Sequence, residues 1–106
     1  MQNYKLYQLN IEKLLKNRRQ NLAFRDNLNP DPADYRLVYE GSIDSGIGKS
    51  DNDILNDIFD LHNEDDRPNR DRLRSCSVSD VIVLDSKDDG RAYTVLVLGF
   101  RPVDFN

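Results

Sequence analysis

Gly48-Lys49-Ser50 stands between a stretch that reads as a strand and one that reads as a helix, where a phosphate-binding loop would stand. There, backbone amides and Lys49 would surround a phosphate, and the apolar run Val81 to Leu84 ending at Asp85 would resemble the strand that holds magnesium. The pattern also needs a glycine five positions before Gly48, and Ile43 is there. The acidic stretch that follows would repel phosphate beyond its first turn. A glycine-rich turn is therefore the better reading, and no nucleotide or other cofactor is expected.

Asp53, Asp57, Asp60 and Glu64 step by four, three and four residues, and Asp65 and Asp66 extend the series. At this spacing they share one arc of a helix. Hard cations want oxygens that converge on a point, whereas carboxylates strung along a helix diverge. The bidentate Glu of a calcium loop is also missing at the right distance. No metal site is expected. What remains is a solvated face or a surface for a basic partner, and these six acids are the candidate contact set.

Ser75, Cys76, Ser77 and Ser79 supply nucleophilic atoms, but nucleophilic catalysis needs an activating partner. His62 is the sole histidine and falls on the apolar arc of the same helix, where packing or dipole matching suits it better than catalysis. The hydroxyl-rich element Ser75 to Asp80 is read instead as a backbone-capping device that sets how the chain enters the strand after it. No catalytic residue is assigned. Arg67, Arg70, Arg72 and Arg74 could bind phosphate; Glu64-Asp65-Asp66 directly precedes them, so local neutralisation is the alternative reading. Lys13, Lys16, Arg18 and Arg19 are candidate RNA contacts.

These residues need elements to hold them. Tyr4 to Leu9 reads as a first strand. Ile11, Leu14, Leu15 and Leu22 recur at helical spacing, which predicts a helix over about 11–28, ended by Asn29-Pro30-Asp31-Pro32. Tyr35 to Glu40 is a second strand, and Gly41 to Ser50 a loop. Ser50 and Asp53 form a capping box opening a helix that buries Ile54, Leu55, Ile58, Phe59 and Leu61. Asp80 to Asp85 and Arg91 to Leu98 read as third and fourth strands joined in an antiparallel hairpin. Both are apolar on both faces and so central. Phe105 is a late apolar anchor. The expected fold is α+β: a four-stranded, mostly antiparallel sheet with two helices, in the order β-α-β-α-β-β. With both helices on one face, the other would need a crossing helix, a partner or a second copy, so monomer and homodimer both stay open.

At 106 residues the chain is one domain spanning 1–106. A charged fraction of 32% and a mean hydropathy of −0.73 describe a small core under a charged surface. No apolar run approaches membrane-spanning length, and the single cysteine cannot form an internal disulfide, which fits a reducing cytoplasm. The net charge of −4 is unevenly spread. The first 25 residues set six bases against Glu12, whereas Asp51 to Asp66 holds seven acids and no base.

Phe59, Arg67-Pro68 through Arg74, Ser75-Cys76-Ser77-Val78-Ser79-Asp80-Val81, Tyr93 and Gly99-Phe100 together resemble the YodL-like domain of conjugative and integrative elements in Gram-positive bacteria. Tyr4 to Leu9, Phe24 and Tyr35 to Gly41 extend the resemblance over nearly the whole chain. Cys76 stands where leucine is usual, and Arg74 where a glycine or polar residue is common. The long acidic run is additional to the general pattern. The family as such implies no catalytic residue, so the chain is not expected to be an enzyme. A free-standing acidic form looks like some type II-A anti-CRISPR proteins. That likeness implies a bacterial cytoplasmic inhibitor whose partner is a type II-A Cas9 or its guide-RNA complex, with direct RNA contact as a variant. The alternative is an accessory interaction module of a conjugative element.

Overall fold

The computed structural model describes residues 2–10, 12, 30–44, 49–64, 68, 76, 78–85, 90–96 and 98–105. Five strands form one sheet: β1 (Gln2–Leu9), β2 (Tyr35–Ile43), β3 (Val81–Leu84), β4 (Arg91–Val95) and β5 (Phe100–Val103). A short 3-10 turn, Pro32–Asp34, leads into β2, and the helix α1 (Asp51–Leu61) links β2 to the β3 half. The strand order is β2-β1-β3-β4-β5, with every neighbouring pair antiparallel.

This overturns the expected four-stranded sheet with two helices. The fold is mostly β, with five strands and one α-helix among the described residues. The predicted helix over 11–28 lies outside the described residues except for Glu12. The additional strand comes from Val81 to Val103 being divided differently. Arg91 to Leu98 is not one strand: β4 ends at Val95, and Leu96 N–H bonds to the Gly99 carbonyl at 2.9 Å to close a turn. Gly99 has φ +86°, which glycine adopts without steric cost. The reversed chain becomes β5. β2 also runs past Glu40 to Ile43, so Gly41 to Ile43 is strand rather than loop.

Alternation along the strands gives the sheet two apolar faces. On one, Tyr4 and Leu6 of β1 and Ile82 and Leu84 of β3 meet Ile54, Leu55 and Ile58 of α1. Cys76 is buried in the same cluster, which suits the apolar position it occupies. On the other face, Leu9, Tyr35 and Val81 form a second cluster. Phe105 anchors it with ring centroids 5.0 Å from Tyr7 and 5.3 Å from Tyr35. β3 is central and β4 is paired on both sides, as their two-sided apolar sequences require.

At the Ser79–Asp80 end of the hydroxyl-rich element, backbone bonds set the approach to β3. Ser79 takes φ +73°, and two residues there oppose Val95: Ser79 N–H donates to the Val95 carbonyl and Val95 N–H to the Asp80 carbonyl, each at 2.8 Å. This is a bulge that re-aims the strand. The Tyr35 hydroxyl bonds to the Ser79 carbonyl, and Gln8 Nε2 donates to Asp80 Oδ2 at 3.2 Å. Ser75 and Ser77 lie outside the described residues. Because Val95 turns its backbone groups toward β3, Tyr93 two residues away does the same. Pro102, opposite Tyr93, therefore presents its ring nitrogen to the open rim of the sheet.

Candidate functional site

α1 forms because its apolar residues fall on one arc and its start is capped on both sides. The Ser50 hydroxyl accepts from Asp53 N–H at 3.2 Å, and Asp53 Oδ2 accepts from Ser50 N–H at 3.4 Å. The predicted capping box is thus present. Ile54, Leu55 and Ile58 are buried, while Phe59 and Leu61 are partly covered.

The acids along the helix have unequal roles. Asp51 Oδ2 accepts from Arg91 Nε at 2.6 Å and from the Tyr93 hydroxyl at 2.5 Å, and its Oδ1 accepts from Arg91 Nη2 at 3.0 Å. These bonds fasten the first turn of α1 to β4. The Arg91 hydrogen bonds hold the Asp51 carboxyl below its usual range. Partial burial, followed by the bond to Asp51, pushes the Tyr93 phenol up. Asp53 is engaged in the cap. Asp57 pairs with Lys49 at 2.8 Å, so the lysine weighed and set aside as a phosphate ligand faces a carboxylate, and that bond raises its pKa.

Asp60 and Glu64 are exposed, and their carboxylates make no hydrogen bond or ion pair with another described residue. Of the six expected contact acids, the structure therefore brings Asp53, Asp57 and Asp60 onto α1, sets Glu64 in the turn after it, and leaves only Asp60 and Glu64 of these four without a bond to another described residue. Asp65 and Asp66 lie outside the described residues, as do Lys13, Lys16, Arg18, Arg19, Arg67, Arg70, Arg72 and Arg74.

His62 ends α1 and is 2% exposed. Its Nε2 lies 2.7 Å from the Tyr4 hydroxyl, and its ring meets Tyr4 and Tyr39 edge-on, with centroids at 5.7 and 4.9 Å. Burial lowers the imidazole pKa and raises the Tyr4 phenol. The packing role read from sequence fits this geometry.

One feature escaped the sequence reading. A cleft of about 130 Å³ opens between α1 and the β4–β5 turn, lined by Asn56, Phe59, Val95, Leu96, Gly99 and Phe100. The signal was Gly99 inside an otherwise continuous apolar run, which marks a turn rather than a longer strand.

Among the described residues no group of His, Cys, Asp or Glu gathers as a metal ion would require. No helix among them is long and apolar enough to cross a membrane. No curated protein and no solved structure matches the chain. The sequence does match a family model: that of the YodL-like domain aligns with residues 3–105, so the chain belongs to the YodL-like domain family.

Proposed function

We propose that this YodL-like domain is a non-enzymatic binding protein, carried by a mobile element, that acts in the bacterial cytoplasm against a CRISPR-Cas9 nuclease. Its partner is a type II-A Cas9 or its guide-RNA complex, and it blocks guide-RNA assembly or DNA engagement. Cas9 holds guide RNA and DNA in strongly positive channels. A small acidic protein is drawn to such a surface by complementary charge.

The observation that carries this reading is the acidic arc of α1 and the turn after it, where Asp60 and Glu64 face solvent and bond to no other described residue. A helix whose acids were all paired within the molecule would offer little to a basic partner. The test is DNA cleavage by several type II-A Cas9 proteins, with this protein added before or after the guide RNA. Inhibition only on early addition means blocked guide loading. Inhibition in either order means interference with DNA engagement. No inhibition of any of them removes the nuclease reading.

A second reading keeps protein binding but drops the nuclease: an accessory module of a conjugative element that binds through the surface around Tyr93 to Leu98. Leu98, 89% exposed, favours it. A complex insensitive to salt would distinguish it from the acid-steered one.

A further inference from the structure

We propose that the cleft between α1 and the β4–β5 turn is an anchor site that takes one aliphatic or aromatic side chain from a lysine- or arginine-rich segment of a partner protein. The inference rests on the protein-binding reading above but not on the identity of the partner.

The cleft has the size and lining for such an anchor. Its volume is about 130 Å³, and an apolar cavity of roughly 150 Å³ accommodates benzene. Phe59 and Phe100 meet edge-on in its wall, with ring centroids 6.4 Å apart. Val95 and Leu96 add aliphatic surface, and Gly99 has no heavy atom within 4 Å of where a Cβ would stand. Leu98 projects from the same turn at 89% exposure. A lone exposed leucine is ordinary. One beside a cleft walled by two phenylalanine rings resembles the arrangement at binding hot spots, where a buried anchor is ringed by contacts that exclude water.

The charge around the cleft specifies what flanks the anchor. Asn56 lines the cleft from α1. At about 100° per residue, Asp60 and Asp53 lie only about 40° and 60° around the helix from it. A side chain seated in the cleft therefore carries its chain neighbours over the acidic arc, where Asp60 has no partner among the described residues. Arg101 follows Phe100 in β5, and strand alternation sends it to the opposite face of the sheet, away from the cleft. Phosphate would be repelled here, and an uncharged segment would leave Asp60 unanswered.

The test is an NMR titration of the full chain with a lysine-rich peptide bearing one leucine. The controls are the same peptide with serine for leucine, and a glutamine-rich peptide with the leucine kept. The leucine-lysine peptide is expected to shift the Asn56, Leu96 and Gly99 amide resonances saturably, and to bind about tenfold tighter than either control. Leu98→Asp, at an exposed turn position, is expected to weaken it about tenfold with an unchanged melting temperature. Pure charge attraction predicts the reverse, because the substitution adds an acid. Equal affinity for the leucine and serine peptides, or tighter binding to Leu98→Asp, overturns the anchor. Equal affinity for the glutamine-rich peptide overturns the basic partner. Nuclease inhibition is read separately, so peptide binding without inhibition removes the Cas9 reading and leaves the cleft intact.

Discussion

The two halves of the acidic run, Asp51 to Asp57 on α1 and Asp60 to Glu64 across its end, carry similar acids to different ends. In the N-terminal half, Asp51 is bonded to Arg91 and Tyr93, Asp53 closes the cap and Asp57 holds Lys49. In the C-terminal half, Asp60 and Glu64 are open to solvent, and the helix is held from its buried side by Ile58 and His62. The difference teaches that a run of carboxylates is not a surface until their internal partners are counted. Half of such a run can be architecture, and only the remainder is available to another molecule.

The largest expected effect lies on the buried side. Ile58 is fully buried, and Ile58→Ala should cost about 2–5 kcal/mol in urea unfolding. A loss well below 1 kcal/mol would mean that the open half is not held by its core at all. Next is Asp51→Ala, which should cost roughly 1–2 kcal/mol near neutral pH, a range already reduced because the Asp51 side chain is 32% exposed. The folded Asp51 pKa is depressed below 3.8, so its contribution is complete above that value and is lost as pH falls through the folded pKa. The wild-type advantage over Asp51→Ala should therefore shrink in strong acid.

Ser50→Ala should cost about 1 kcal/mol by breaking the cap. The His62 imidazole is also depressed, by burial, from 6.5. Above pH 6.5 both folded and unfolded states are neutral at this site. Below it the unfolded chain takes the proton first, so stability should fall on mild acidification until the folded pKa is passed. His62→Gln should flatten that limb of a stability-against-pH curve. The smallest effect belongs to the open acids: Asp60→Asn with Glu64→Gln should change stability by less than about 0.5 kcal/mol. The same pair should weaken partner binding and flatten its salt dependence. A stability loss comparable to that of Asp51→Ala would erase the distinction between the halves.

Much of this arrangement was legible in the residues. The Ser50–Asp53 spacing and the apolar arc from Ile54 to Ile58 specify α1 locally, because capping and amphipathicity are short-range properties. β1, β3 and the start of β2 follow from their own apolar patterns. β5 was not legible, since Phe100-Arg101-Pro102-Val103 is short, carries a proline and is only half covered. Its strand character comes from pairing with β4. The division of the acids was hidden for the same reason. Arg91 reaches Asp51 across 40 positions of sequence, a contact that only the folded sheet creates.

Pro102 bears on how copies of the molecule can meet. An incoming strand alongside β5 would need an N–H donor where Pro102 offers only a ring nitrogen, in the middle of a strand of four residues. The opposite rim, β2, has nine residues and no such block. A sheet with one usable rim can join another copy rim to rim but cannot then add a third. Edge-to-edge pairing through the described strands of this sheet therefore ends at a closed pair.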